Sequence, residues 1–194
     1  MYEIVSISGS PFPSSRSAAI LDYVKDVSAK HGLGVASISV RDLSPEDIVY
    51  CNFESPKLKE LQLIVKKAKA AIISTPVYNS SYTGVLKALL DLMPQYAFAG
   101  KTILPIAIGG TINHLLSIDY AIKPLLSVMG ATHILQGVYI VNSQIQFDEQ
   151  AHIQLDIEIE ERLQASIEEL ASTVKQKQLV PCVTDPSTKY VTSQ

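Results

Sequence analysis

Three short polar stretches hold most of the chemistry this chain can do. The first, Gly9-Ser10-Pro11-Phe12-Pro13-Ser14-Ser15-Arg16-Ser17, gathers four serine hydroxyls and one guanidinium. The others are Thr75-Pro76-Val77-Tyr78-Asn79-Ser80-Ser81 and Gly109-Gly110-Thr111, and each of the three follows an apolar run. Where a strand hands over to a helix, free amide N–H groups and the positive end of the helix dipole favour an anion. Ser14, Ser15 and Ser17 add hydroxyl donors, Arg16 adds a planar fork suited to phosphate oxygens, and Gly9 allows close backbone approach. A simple helix cap needs one serine, not four. The loop is neither G-x-G-x-x-G nor G-x-x-x-x-G-K-[ST], so a terminal monophosphate suits it better than a pyrophosphate or triphosphate.

The second stretch can present backbone groups edge-on to a flat heterocycle, with Pro76 keeping the chain extended and Tyr78 as an apolar flank. It reads equally well as a rigid connector. Gly109-Gly110-Thr111 lets a planar ring lie on bare backbone, or is a plain turn. His114 follows closely and could face the same crevice. No Ser-His-Asp arrangement, cysteine nucleophile or metal-ligand spacing is evident.

The elements that must position these stretches alternate in type. Strands are expected at 2–8, 35–40, 70–75, 102–108 and 134–141, with helices at 15–31, 57–69, 82–94, 112–129 and 148–177. Strands this uniformly apolar are covered on both faces. The pattern predicts an α/β fold with a five-stranded parallel sheet, order 2-1-3-4-5. That order brings all three stretches to one edge. Pro124 lacks an N–H and crowds the carbonyl of Tyr120, so a kink or π-bulge is expected at Tyr120. One domain is expected over 1–178, with a mobile tail over 179–194.

Bulk properties narrow the partners. The 194 residues carry a net charge of −3, are 47% hydrophobic and 18% charged, and show no basic stripe. Nucleic acid and anionic membrane are not expected partners. Cys51 and Cys182 read as reduced thiols. Met1-Tyr2-Glu3-Ile4-Val5 reads as a strand rather than a secretory leader, and no apolar run nears the roughly 18 residues of a membrane span. A cytoplasmic protein is expected.

Over about residues 3–140 the sequence resembles the NADPH-dependent FMN reductases of the flavodoxin-like superfold, in particular their alkanesulfonate-utilisation branch. The likeness rests on Ser8-Gly9-Ser10-Pro11 through Ser15-Arg16-Ser17, on Thr75-Pro76-Val77-Tyr78 with Tyr82-Thr83-Gly84-Val85-Leu86-Lys87, and on Gly109-Gly110-Thr111 to His114-Leu115-Leu116. Asp119-Tyr120-Ala121 with Lys123-Pro124 continues it. The resemblance implies an oxidoreductase that passes a hydride from NADPH to FMN and hands the reduced flavin to a partner monooxygenase in sulfur metabolism. It implies that Ser10, Ser15, Arg16 and Ser17 grip the flavin phosphate, and that Pro76, Val77, Tyr78 and Asn79 contact the isoalloxazine. Gly110 and Thr111 would lie near the flavin or nicotinamide, and Tyr120 would be a π-bulge residue on a homo-oligomer interface, in a dimer or tetramer. No site is carried over to residues 142–194. Hydride transfer between stacked rings needs positioning rather than a protein nucleophile, so no catalytic side chain is assigned. Rival readings are a flavin-bound quinone, azo or metal reductase, a flavodoxin-like electron carrier, and a sugar-phosphate binder or phosphatase.

Overall fold

Short β-rich runs bounded by polar turns pair side by side, as the sequence pattern predicts. The computed structural model describes residues 2–150 and 152–179. Its strands β1 (Ile4–Ser8), β2 (Val35–Ser39), β3 (Ala70–Pro76), β4 (Thr102–Gly109), β5 (His133–Ile134) and β6 (Val138–Val141) build one parallel sheet. The order is β2-β1-β3-β4-β5, with β6 also beside β4. This is the flavodoxin-like arrangement, with its switch point between β1 and β3.

The helices are α1 (Arg16–Lys30), α2 (Pro45–Val49), α3 (Pro56–Lys67), α4 (Gly84–Asp91), α5 (Lys123–Val128) and α6 (Ile157–Leu179). Ser15, Ser44, Ser55 and Thr83 each accept the N–H three residues on, which starts α1 to α4. Alternate strand residues face opposite layers. Val5, Ile7, Ala71 and Ile73 pack with leucines of α3 and α4. Ile4, Ile72, Leu104 and Ile106 pack with Ile20 and Val24 of α1 and with Leu163 and Ile167 of α6. Helices thus cover both faces.

The fifth strand is not the single run expected over 134–141. It is split into β5 and β6, which makes the sheet six-stranded. Pro105 is the cause. Ile103 O accepts the Leu135 N–H at 2.9 Å, so residues 103 and 105 turn their peptide groups toward the fifth strand. Pro105 has no N–H to donate there. Leu135, Gln136 and Gly137 therefore bulge opposite Leu104 and Pro105. Gly137 adopts φ +87°, and a Cβ there would sit 2.8 Å from Pro105 O.

Two expected helices also change form. Residues 112–129 divide into a 3-10 turn (Ile112–His114), a π-helical segment (Ile118–Ile122) and α5. The Lys123 N–H reaches Ile118 O, five residues back, just before Pro124. The widened turn at Tyr120 is where Pro124 denies the regular ladder a donor. The helix expected over 148–177 begins only at Ile157. Before it, β7 (Ile145–Phe147) pairs antiparallel with β8 (Ile153–Leu155), an alternation of apolar and polar residues that has a strand's period. Asp148 closes this hairpin by accepting the N–H groups of His152 at 2.8 Å and Gln150 at 2.9 Å. The His152 N–H, then that of Gln150, holds the Asp148 carboxyl below the usual carboxylate range.

Helix α6 continues to Leu179, and the tail expected beyond it lies outside the described residues, as does Cys182. Cys51 is a free, exposed thiol. Among the described residues no helix is long and apolar enough to cross a membrane.

Candidate flavin site at the strand C-termini

The loops after β1, β3 and β4 meet around a cavity of about 660 Å3, within the roughly 300–1,000 Å3 usual for small-ligand sites. Eight of the ten residues expected at the site line it: Ser10, Ser15, Arg16, Ser17, Pro76, Val77, Tyr78 and Gly110.

One end is built for an anion. Among the described residues the N–H groups of Ser14, Ser15, Arg16 and Ser17 have no protein acceptor, as the start of the 15-residue α1 requires. Ser15 Oγ accepts the Ala18 N–H at 3.1 Å, so the helix-cap role does apply to it, while its own proton remains free to donate. Ser10 Oγ accepts the Phe12 N–H at 3.2 Å, and Ser10 and Ser17 are almost fully buried. Among the described residues Arg16 has no ion-pair partner. These donors suit a phosphate monoester.

Gly9 serves a different purpose from the one its sequence position suggests. A Cβ there would lie 2.9 Å from Leu86 Cδ2 and 3.1 Å from Thr75 Cβ. Its bare Cα permits close packing of β3 and α4. Thr83 Oγ1 donates to Gly9 O at 2.6 Å and accepts the Leu86 N–H at 3.1 Å. The Thr83 N–H in turn reaches Thr75 Oγ1 at 3.3 Å. The first two polar stretches form one braced unit.

The other end offers backbone. The Val77 N–H donates to Ile108 O at 2.8 Å, which fixes Pro76-Val77-Tyr78 along the cavity wall. Tyr78 and Ser81 exchange both backbone hydrogen bonds, and Asn79 and Ser80 take φ of 48° and 65°. Two successive positive φ values make a tight primed turn. Asn79 sits at its tip and does not line the cavity, and neither does Thr111. At Gly110 a Cβ would meet nothing within 4 Å, so this stretch of backbone lies bare toward the cavity. At Gly109 a Cβ would collide with the Tyr139 hydroxyl. That hydroxyl donates to Thr111 O at 2.6 Å and so fixes the turn from beneath. Burial pushes the Tyr139 phenol above its ordinary range.

A dianion cradle at one end and bare backbone at the other describe a phosphorylated planar ligand, and the comparisons agree. Residues 2–146 match the family described as NADPH-dependent FMN reductase. The chain belongs to that family. It is 43% identical to an FMN reductase (NADPH) of Pseudomonas putida, over 85% of this chain and 84% of the relative. It is 39% identical to an FMN reductase (NADPH) of Escherichia coli, over 84% and 88%. Among solved structures, the apo form of an NADH:FMN oxidoreductase (EMOB) superimposes with a TM-score of 0.80 at 34% identity, covering 97% of this chain and 94% of that one.

Within this member of the FMN reductase family, sequence reasoning missed part of the cavity. Asn142 and Phe147 line it from the segment where no site was expected. The signal was the strand-like alternation around Phe147, masked by the acidic helix that follows. Asp22 and Ile108 also line the cavity, nearly two turns into α1 and near the end of β4. His114 lies outside the cavity wall, and its Nδ1 is 2.9 Å from Ser80 Oγ, which joins the second and third stretches. Tyr120 is 80% exposed within the π-helical segment and away from the cavity.

Proposed function

We propose that the protein is a reductase that transfers a hydride from NADPH to FMN and releases reduced flavin to a monooxygenase of the alkanesulfonate type. The observation that carries this reading is the pairing of four unclaimed amide donors and Arg16 with bare backbone at Gly110, at opposite ends of one cavity.

In this reading Ser10, Ser15, Arg16 and Ser17 hold the FMN phosphate. Pro76, Val77 and Tyr78 flank the isoalloxazine, Gly110 lets it lie against the chain, and Asn79 and Thr111 shape the rim without lining the cavity. Bound FMN supplies the ring that accepts the hydride. The protein's own work is to hold the rings parallel and close, which replaces an encounter in solution by a fixed geometry. No side chain need exchange a proton during the transfer. Tyr78 and Phe147 are each 46% exposed at the cavity mouth, which leaves a route for flavin to enter and depart. An open mouth supports FMN as a substrate rather than a permanently held group. The exposed Tyr120 supports an oligomer with the π-helical segment at its interface.

Parallel steady-state assays of NADPH oxidation with FMN, FAD and riboflavin test the reading. Saturable dependence on added FMN, with riboflavin clearly poorer, is the expected result. Equal rates with FMN and riboflavin would show that the phosphate is not being read. A yellow stoichiometric complex that reduces quinones would point instead to a flavin-bound reductase.

A further inference from the structure

A second groove, of about 250 Å3, opens beside the main cavity between α1 and the C-terminal ends of β1 and β2. The two hollows share Phe12, Pro13, Ala18 and Asp22, so a ligand bound in one can continue into the other around the first polar loop. The floor of this groove is unexpectedly polar. Ser6 and Ser8 stand on the same sheet face as Ile4, where apolar packing against α1 would be the default. Ser6 Oγ bonds Ser37 Oγ at 3.1 Å on the neighbouring strand. Ser8 is 8% exposed and lines the groove, and among the described residues its hydroxyl has no protein partner and is open to the hollow. A hydroxyl that no protein group engages, at the wall of a hollow, is available to a polar ligand atom.

Arg41 stands at the groove's rim, two residues beyond β2. Among the described residues it has no ion-pair partner. Its neighbour Asp42 also lines the groove, and the Asp42 carboxylate accepts the Ser39 N–H at 2.9 Å. The Arg41 N–H donates to Ser39 Oγ at 3.2 Å, which ties down the backbone from which the guanidinium extends. Phe12, 60% exposed, supplies an aromatic surface at the shared wall. An aromatic face, the Ser8 hydroxyl, the Asp22 and Asp42 carboxylates as acceptors for sugar hydroxyls, and a guanidinium match a base, a ribose and a phosphate.

We propose that this groove is a subsite for an adenosine phosphate, with Arg41 as its cation. The adenosine end belongs to a dinucleotide whose other half lies in the main cavity, and that clause rests on the function proposed above. Two dinucleotides share this chemistry: NADPH, whose 2′-phosphate would meet Arg41, and FAD, whose second phosphate would.

Titration calorimetry with adenosine 2′,5′-bisphosphate and with 5′-AMP, on the wild type and on Arg41→Ala, tests the subsite directly and without turnover. Binding to the wild type that weakens about ten- to a hundred-fold in the variant is expected, the loss of one charge-assisted contact. Steady-state kinetics then separate the sources. A rise in KM for NADPH but not NADH identifies the nicotinamide dinucleotide, and a rise for FAD but not FMN identifies the flavin dinucleotide. If neither probe binds the wild type, or Arg41→Ala leaves both probe affinities unchanged, the inference fails even where FMN reduction is intact. Loss of FMN reduction in the wild type would instead count against the proposed function, since the calorimetry needs no turnover.

Discussion

Thr83 Oγ1 donates a 2.6 Å hydrogen bond to the carbonyl oxygen of Gly9, across 74 residues of chain. The same oxygen caps α4 by accepting the Leu86 N–H. One buried hydroxyl therefore sets both the start of a helix and the exit of β1 toward the anion loop. Thr83→Val keeps the shape and leaves two buried backbone groups unpaired, with an expected cost of about 2–4 kcal/mol. Thr83→Ser keeps the hydroxyl and should stay within about 1 kcal/mol of wild type. Urea denaturation of the two variants checks this, and a Thr83→Val protein as stable as the serine variant would contradict it.

Arg16→Ala should weaken FMN binding by about 1.5–3 kcal/mol, the loss of one charge-assisted contact. Riboflavin, which has no phosphate, should bind the variant and the wild type alike. Flavin fluorescence titrations of the two ligands give the comparison. Equal losses for both would place Arg16 away from the phosphate.

Gly109→Ala should displace Tyr139, because the new methyl group would occupy the position of the phenol hydroxyl. The expected penalty is about 1–3 kcal/mol from overpacking, with the bond to Thr111 O lost as well. Tyr139→Phe loses only that bond, about 0.5–1.5 kcal/mol. Thermal melts should rank the glycine variant lower.

Burial holds the Tyr139 phenol protonated in the folded protein beyond the range where a free tyrosine ionises. Once pH passes the unfolded value of about 10, the unfolded chain releases this proton and the folded chain does not. The stability tied to Tyr139 is thus complete below that pH and is lost as pH climbs toward the folded value. Burial raises Tyr23 as well, so a phenolate absorbance titration should show late-titrating tyrosines whose number falls by one in Tyr139→Phe.

Much of this fold could be read directly. Mostly apolar runs at β3 and β4, the β-rich run at β1, and capping serines at 15, 44 and 55 specify covered parallel strands and helix starts through local patterns alone. Pro124 announced the π-helical segment in the same way, by a missing donor at a known place. Pro105 carries the identical signal, yet it splits its neighbour rather than its own strand, and that needs knowledge of which strand lies alongside. The packing demand on Gly9 is hidden for a related reason: its crowding comes from Leu86 and Thr75, distant in sequence. Asn142 and Phe147 reach the cavity only through the β7–β8 hairpin, whose strands are three residues each, too short to stand out beside the helix that follows.

Pro11 and Pro13 do more than withhold amide hydrogens. Each ring fixes its own φ and restricts the residue ahead of it, so this part of the chain has few shapes even when unfolded. The ligand meets a mould that is already set, and little freedom remains to be lost when it docks. If flavin arrives oxidised and leaves reduced on every cycle, as proposed above, its residence is then set by contacts rather than by the ordering of this loop.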